Sequence, residues 1–180
     1  MHPIRLLSKL APKAINYDSA GQGSTVDVID WRTAAHALSG LPADASDWAF
    51  YRFAGQEEKL PRVVRNLTMF VTLFIKIRRY KIKPNTLEGL VRLSIVEFTQ
   101  PVCGNCNGSG CNELNHAECN NCCGAGRLLL SNRQRCSVIG INHKSYSNTH
   151  NDIVNELMRL ISDWEQAIIK NVTDKMSDAA

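Results

Sequence analysis

Two stretches of the chain repeat one pattern, Cys103-Gly-Asn-Cys106-Asn-Gly108-Ser-Gly110 and Cys119-Asn-Asn-Cys122-Cys-Gly124-Ala-Gly126. Both fit C-x-x-C-x-G-x-G, with twelve residues between the two cysteine pairs. Two residues between cysteines let one tight turn aim both thiolates at a single point. A glycine after the second cysteine allows a left-handed backbone, which frees amides to bond the sulfurs. Two such turns supply the four sulfurs of a closed tetrahedral site, and zinc is the ion that this donor set predicts. The expected ligands are Cys103, Cys106, Cys119 and Cys122. A closed tetrahedron has no position for water, so the expected zinc is structural, and its binding energy is folding energy for the segment. Cys111 and His116 lie between the pairs and stay open as the source of one ligand. Cys123 could replace Cys122, at the expense of the two-residue spacing. All seven cysteines fall between Cys103 and Cys136. That clustering suits a metal site in a reducing compartment better than a disulfide framework. Cys136 falls in a helical pattern and reads as a core thiol.

A second constellation follows the cysteines. Residues Asn132 to Asn151 read NRQRCSVIGINHKSYSNTHN. A helix-turn-helix needs a small residue in its first helix, an apolar residue three later, glycine at the turn, and apolar residues beyond it. Cys136, Ile139, Gly140, Ile141 and Tyr146 fill those places. Asn142 is then placed to cap a second helix. Outward residues near its start are His143, Lys144, Ser147 and Asn148, types that bond base edges or phosphates in a major groove. Arg127, Arg133 and Arg135 add the fixed positive charge that phosphates require. These eight residues (Asn142 included) are the candidate DNA contacts. The same pattern also arises in an ordinary helical turn, and His143 or His150 alone more often serves as a surface or core side chain.

The elements that position these residues read as helices. Leu60, Val63, Val64, Leu67, Phe70, Val71 and Phe74 recur at spacings of three and four. Pro61 suits a first helical turn, and the segment runs on into Arg78, Arg79, Lys81 and Lys83 until Pro84 stops it. From Lys59 to Arg92 there are nine basic residues and one acid, Glu88, for a net of +8. That run reads equally well as a solvated face or as a surface for nucleic acid or an acidic protein. The next helix is expected over Thr86–Phe98. A long C-terminal helix carries the stripe Ile153, Val154, Leu157, Leu160, Ile161, Trp164 and Ile168. Upstream, Ile4 to Leu10 predicts one short helix and 18–25 a loop. Asp30 would cap a helix from Trp31 that Gly40 ends, residues 42–46 read as a turn, and Asp47 opens a helix through Phe53.

The expected architecture is mainly α: a helical domain with an inserted zinc-binding pair of CxxCxGxG turns and a C-terminal helix-turn-helix-like region. Its parts run over 1–58, 59–98 with the basic run, 99–130 with the metal, 131–170, and a frayed tail over 171–180. The chain has 180 residues, 44% hydrophobic and 21% charged. This excludes intrinsic disorder for most of it and allows a core without disulfides. The net charge of +4 permits a polyanionic partner without requiring one. No apolar run is long enough to span a bilayer, and the first residues lack the pattern of a secretory signal, so a cytoplasmic protein is expected. No phosphate-cradling glycine loop, H-E-x-x-H or triad points to an enzyme.

The order of a Leu/Val-rich helix, paired C-x-x-C-x-G-x-G turns and a basic helical C-terminal region resembles the late-gene antitermination protein Q family of lambdoid phages and prophages. The resemblance covers roughly residues 60–170. It is carried by Leu87–Phe98, the repeats Cys103–Gly110 and Cys119–Gly126, and Arg133–Trp164. It implies a non-enzymatic factor with no small-molecule substrate, working in the cytoplasm of a bacterial host. Such a factor binds double-stranded DNA at a late promoter and engages bacterial RNA polymerase, with its sigma factor, paused just downstream. It then travels with the elongating complex and makes it read through pauses and terminators. The family's zinc site maps onto the four cysteines above, with a shorter gap between the pairs than in some relatives. Two other readings use the same residues: a promoter-specific DNA-binding regulator, and a DnaJ-like zinc chaperone or interaction module. DnaJ proteins carry four copies of the repeat and two zincs, whereas this chain has two copies and no His-Pro-Asp triplet.

Overall fold

A computed structural model of the chain describes residues 38–100, 103–111, 117–122, 124, 126–128 and 130–177. The helix, loop and cap expected over 4–37 lie outside these residues, as do His116 and Cys123. The described chain is mainly helical: α1 (Ala43–Ala54), α2 (Leu60–Arg78), α3 (Pro84–Phe98), α4 (Asn132–Ile139) and α5 (Asn148–Ser177). Single 3-10 turns stand at Glu57–Lys59 and His143–Ser145. Among the described residues there is no strand; Cys111 and Glu118 form an isolated antiparallel bridge.

The backbone divides into two compact units, 1–66 with 160–180, and 67–159. In the first, α1 buries Ala45, Trp48, Ala49 and Ala54, α2 contributes Val63, and α5 contributes Ile161, Trp164, Ile168 and Val172. The Trp48 indole N–H donates to Glu165 at 3.3 Å, so the buried ring keeps its polar atom bonded. Two expectations change here. The helix expected from Asp47 begins at Ala43, because Pro42 supplies the entry geometry (φ −54) and Asp44 suits the positive end of the helix dipole. The tail expected to fray from residue 171 stays helical to Ser177. Val172 is fully buried, and Asn171 and Lys175 donate to the backbone and hydroxyl oxygens of Ser39.

In the second unit the core gathers Leu67 and Val71 of α2, Leu90, Val91, Leu93, Ile95 and Phe98 of α3, Cys136 and Ile139 of α4, and Ile153, Val154 and Leu157 of α5. Cys136 is the core thiol its position predicts, 3% exposed. α2 stops at Arg78, short of the proline that was expected to end it. Arg79 takes a left-handed conformation (φ 57), and the Arg79 and Tyr80 amides donate back to the Lys76 and Ile75 carbonyls. These are the two bonds of a Schellman cap. α3 begins at Pro84, two residues earlier than expected, since proline fits a first helical position. Its Gly89 lets the α4 backbone come close: a methyl group there would strike the main chain of Ile139.

Candidate metal centre and basic turn

The two cysteine turns face each other as copies. The Cys103 amide donates to the Gly126 carbonyl at 2.9 Å, and the Cys119 amide donates to the Gly110 carbonyl at 2.8 Å. Each bond joins the first cysteine of one copy to the last glycine of the other. The glycines repeat the exchange. A methyl group on Gly110 would collide with the Gly124 carbonyl oxygen, and one on Gly126 with the Gly108 carbonyl oxygen. Gly108, Gly110, Gly124 and Gly126 all have positive φ, a region open to glycine at little steric cost. The repeat read in the sequence is thus a local two-fold arrangement.

This pairing gathers the four sulfurs. Cys103, Cys106, Cys119 and Cys122 are all buried, and their Sγ atoms lie within 4.8 Å of one another. Corresponding sulfurs are closest: Cys103 to Cys119 at 4.0 Å, Cys106 to Cys122 at 3.7 Å. These gaps are far beyond the roughly 2.05 Å of a disulfide. A tetrahedron of sulfurs at about 2.3 Å from one ion has edges of about 3.8 Å. The four cysteines could therefore hold a metal ion. Cys111 is exposed and stands outside the gathered set.

Two donors already serve the sulfurs. The Asn121 side-chain amide donates to Cys103 Sγ at 3.3 Å, and the Gly126 amide to Cys122 Sγ at 3.2 Å. The Asn121 bond leads the effects that bring the Cys103 thiol down to about 6. Burial leads those that push Cys122 up to about 12. One sulfur is ready to ionise and another resists, and a cation bound among the four would compensate the buried charge. Asn121 is a contributor that the spacing of cysteines and glycines did not single out; only its place between Cys119 and Cys122 pointed to it.

The expected DNA contacts fall into two groups. Arg135 pairs with Glu97 at 2.5 Å and donates to Asn151. Arg127 donates to the Gln100 carbonyl at 3.3 Å and lies over the Phe98 ring, 5.0 Å from its centroid. Both guanidiniums are engaged with the end of α3. Arg133, Asn142, His143, Lys144, Ser147 and Asn148 are exposed. Asn142 does cap, but it caps a 3-10 turn: its side chain accepts from the Lys144 amide at 3.0 Å. The helix expected to start there begins instead at Asn148, so eight residues, 140–147, separate α4 from α5. Gly140 makes the left-handed exit from α4 (φ 78), as its position predicted. Ser147 then starts the new helix, its amide donating to His150 Nδ1 at 3.0 Å. No helix among the described residues is long and apolar enough to cross a membrane. No family model matches the chain, and no curated protein or solved structure proves similar to it.

Proposed function

We propose that this protein is a transcription antitermination factor, like the phage late-gene family that its sequence resembles. In this reading it binds double-stranded DNA at a late promoter and joins bacterial RNA polymerase carrying its sigma factor. It then lets the enzyme pass pauses and terminators. It performs no covalent chemistry, and its four thiolates hold one structural zinc. The observation that carries the reading is the gathering of four buried sulfurs at tetrahedral spacing by two copies of one turn. The same unit presents Arg133 at the start of α4, His143 and Lys144 on the turn that follows α4, and Asn148 at the start of α5, all exposed. Exposed Met69, Leu73 and Ile77 recur every fourth residue along α2, an apolar stripe of the kind that protein partners cover.

The chain's part would be to present and hold surfaces. Zinc, when bound, would supply only cross-linking charge, with Cys103, Cys106, Cys119 and Cys122 as its holders. The test is transcription by purified polymerase from a late promoter on a template with a downstream terminator. Terminator bypass that depends on the protein supports the reading. Increased initiation with unchanged bypass would make the protein a promoter-specific regulator instead.

A further inference from the structure

The basic run that follows α2 takes no part in the metal centre, yet it forms one wall of a cleft. Residues Lys81 to Lys83 leave the Arg79 turn without helical structure and lead into Pro84. With Thr86 they face Ile141, Asn142, Ser145 and His150 across a cleft of about 320 Å³. No carboxylate lines it. Lys81 and Lys83 are exposed and have no ion-pair partner among the described residues. The remaining polar groups are donors too. Thr86 and Ser145 offer hydroxyls. Asn142 spends its oxygen on the Lys144 amide, which leaves its NH2 group. His150 accepts from Ser147 at Nδ1, which puts the ring proton on Nε2. A cleft with two ammonium groups, several neutral donors and no fixed negative charge matches a phosphodiester.

We propose that this cleft grips a backbone phosphate of duplex DNA, with Lys81 and Lys83 as its charged contacts. The inference rests on the DNA reading above and adds to it a second surface, contributed by the α2–α3 connection. The turn that forms the opposite wall also carries His143 and Lys144, so a duplex met by that turn would have its phosphates beside the two lysines. Phosphate contacts fix orientation without reading sequence.

Salt dependence of binding tests this, with full-length zinc-loaded protein and a fluorescent duplex of arbitrary sequence. Each phosphate contact contributes about 0.9 to the slope of log affinity against log salt. The K81A/K83A variant should lower that slope by about 2 and weaken low-salt binding about tenfold or more, with an unchanged melting temperature. K81R/K83R should retain the slope. K76A/K170A, which removes two exposed lysines that do not line the cleft, should behave as wild type. If wild type binds duplex with a salt-dependent affinity and K81A/K83A matches it, the cleft proposal is wrong and the DNA reading stands. If wild type has no salt-sensitive duplex affinity, both fail. Tighter, lysine-dependent binding of single-stranded RNA would overturn the duplex assignment.

Discussion

Arg135 Nε lies 2.5 Å from a carboxylate oxygen of Glu97, a residue 38 positions earlier. Glu97 is 7% exposed and Arg135 20%. The same guanidinium donates to Asn151 Oδ1 at 3.3 Å, and that oxygen also accepts from the Tyr146 hydroxyl at 2.7 Å. One side chain thus ties the end of α3 to α4, to the first turn of α5 and to the segment between them. Its charge serves the fold.

Arg135→Met should therefore act on stability first. It leaves a carboxylate of low exposure without its partner. Breaking a fully buried pair costs about 3–5 kcal/mol, and the 20% exposure of Arg135 places this case nearer about 2–3 kcal/mol. Urea unfolding would show it. The double variant E97Q/R135M should recover part of the loss, because no unpaired charge remains. A variant that kept full stability but lost DNA affinity would point instead to a direct phosphate contact.

The glycines of the cysteine turns make a sharper contrast. Gly110→Ala and Gly126→Ala each drive a methyl group into a carbonyl of the opposite copy, at positions with φ of 75 and 69. Left-handed backbone alone costs a non-glycine residue about 1–2 kcal/mol. Metal affinity should fall at least about tenfold for either variant, since about 1.4 kcal/mol is tenfold. Gly104→Ala meets nothing within 4 Å and should bind metal like wild type. Competition with a chromogenic chelator measures all three.

Metal removal should act locally. The described residues from Cys103 to Gly126 include no helix, so their order would rest on the metal cross-link and a few backbone bonds. Chelation, or Cys106→Ser, should leave most far-UV helical signal intact while amides of Cys103, Cys119 and Gly126 lose protection from exchange. Loaded protein should carry one metal ion per chain. Cys111→Ser should not change that content, because this thiol stands outside the gathered set.

What the sequence disclosed and what it hid follow from the range of the interactions. The C-x-x-C-x-G-x-G repeat is local chemistry, and its four cysteines are the four that converge. The apolar stripe from Leu60 to Phe74 is likewise a local period, and so is the one from Ile153 to Ile168. The Arg135–Glu97 pair spans 38 residues, and no local pattern separates an arginine that meets a carboxylate from one that meets a phosphate. The break before α5 was hidden for another reason. An Asn142 cap looks the same at the start of a 3-10 turn and of an α-helix. Only the bond from Ser147 to His150, which restarts the helix, distinguishes them.

Arg79 offers a stabilising change. It occupies the left-handed position of the α2 cap (φ 57), where glycine costs least. Arg79→Gly should raise stability by about 0.5–1 kcal/mol through relieved strain, partly offset by the greater freedom of glycine in the unfolded chain. Thermal unfolding would record it as a higher midpoint. Arg79 does not line the Lys81–Lys83 cleft, so K81A/K83A should still lower the salt slope in that background.

His150 makes the α4–α5 connection sensitive to acid. Its Nδ1 accepts from the Ser147 amide, which requires that nitrogen to be unprotonated. Burial holds its pKa below the usual 6.5. In the window between that lowered value and 6.5 the unfolded chain binds the extra proton, so stability rises with pH there and levels off above 6.5. Acidification through this window should therefore loosen the start of α5. Hydrogen exchange at the Ser147 amide should accelerate as the pH falls. His150→Gln should abolish the pH dependence while keeping the bond. A glutamine at the corresponding position already does so in the same molecule, where Gln134 Oε1 accepts from the Ser131 amide at 2.9 Å. An unchanged exchange profile in wild type through that window would show that the ring does not hold this helix start.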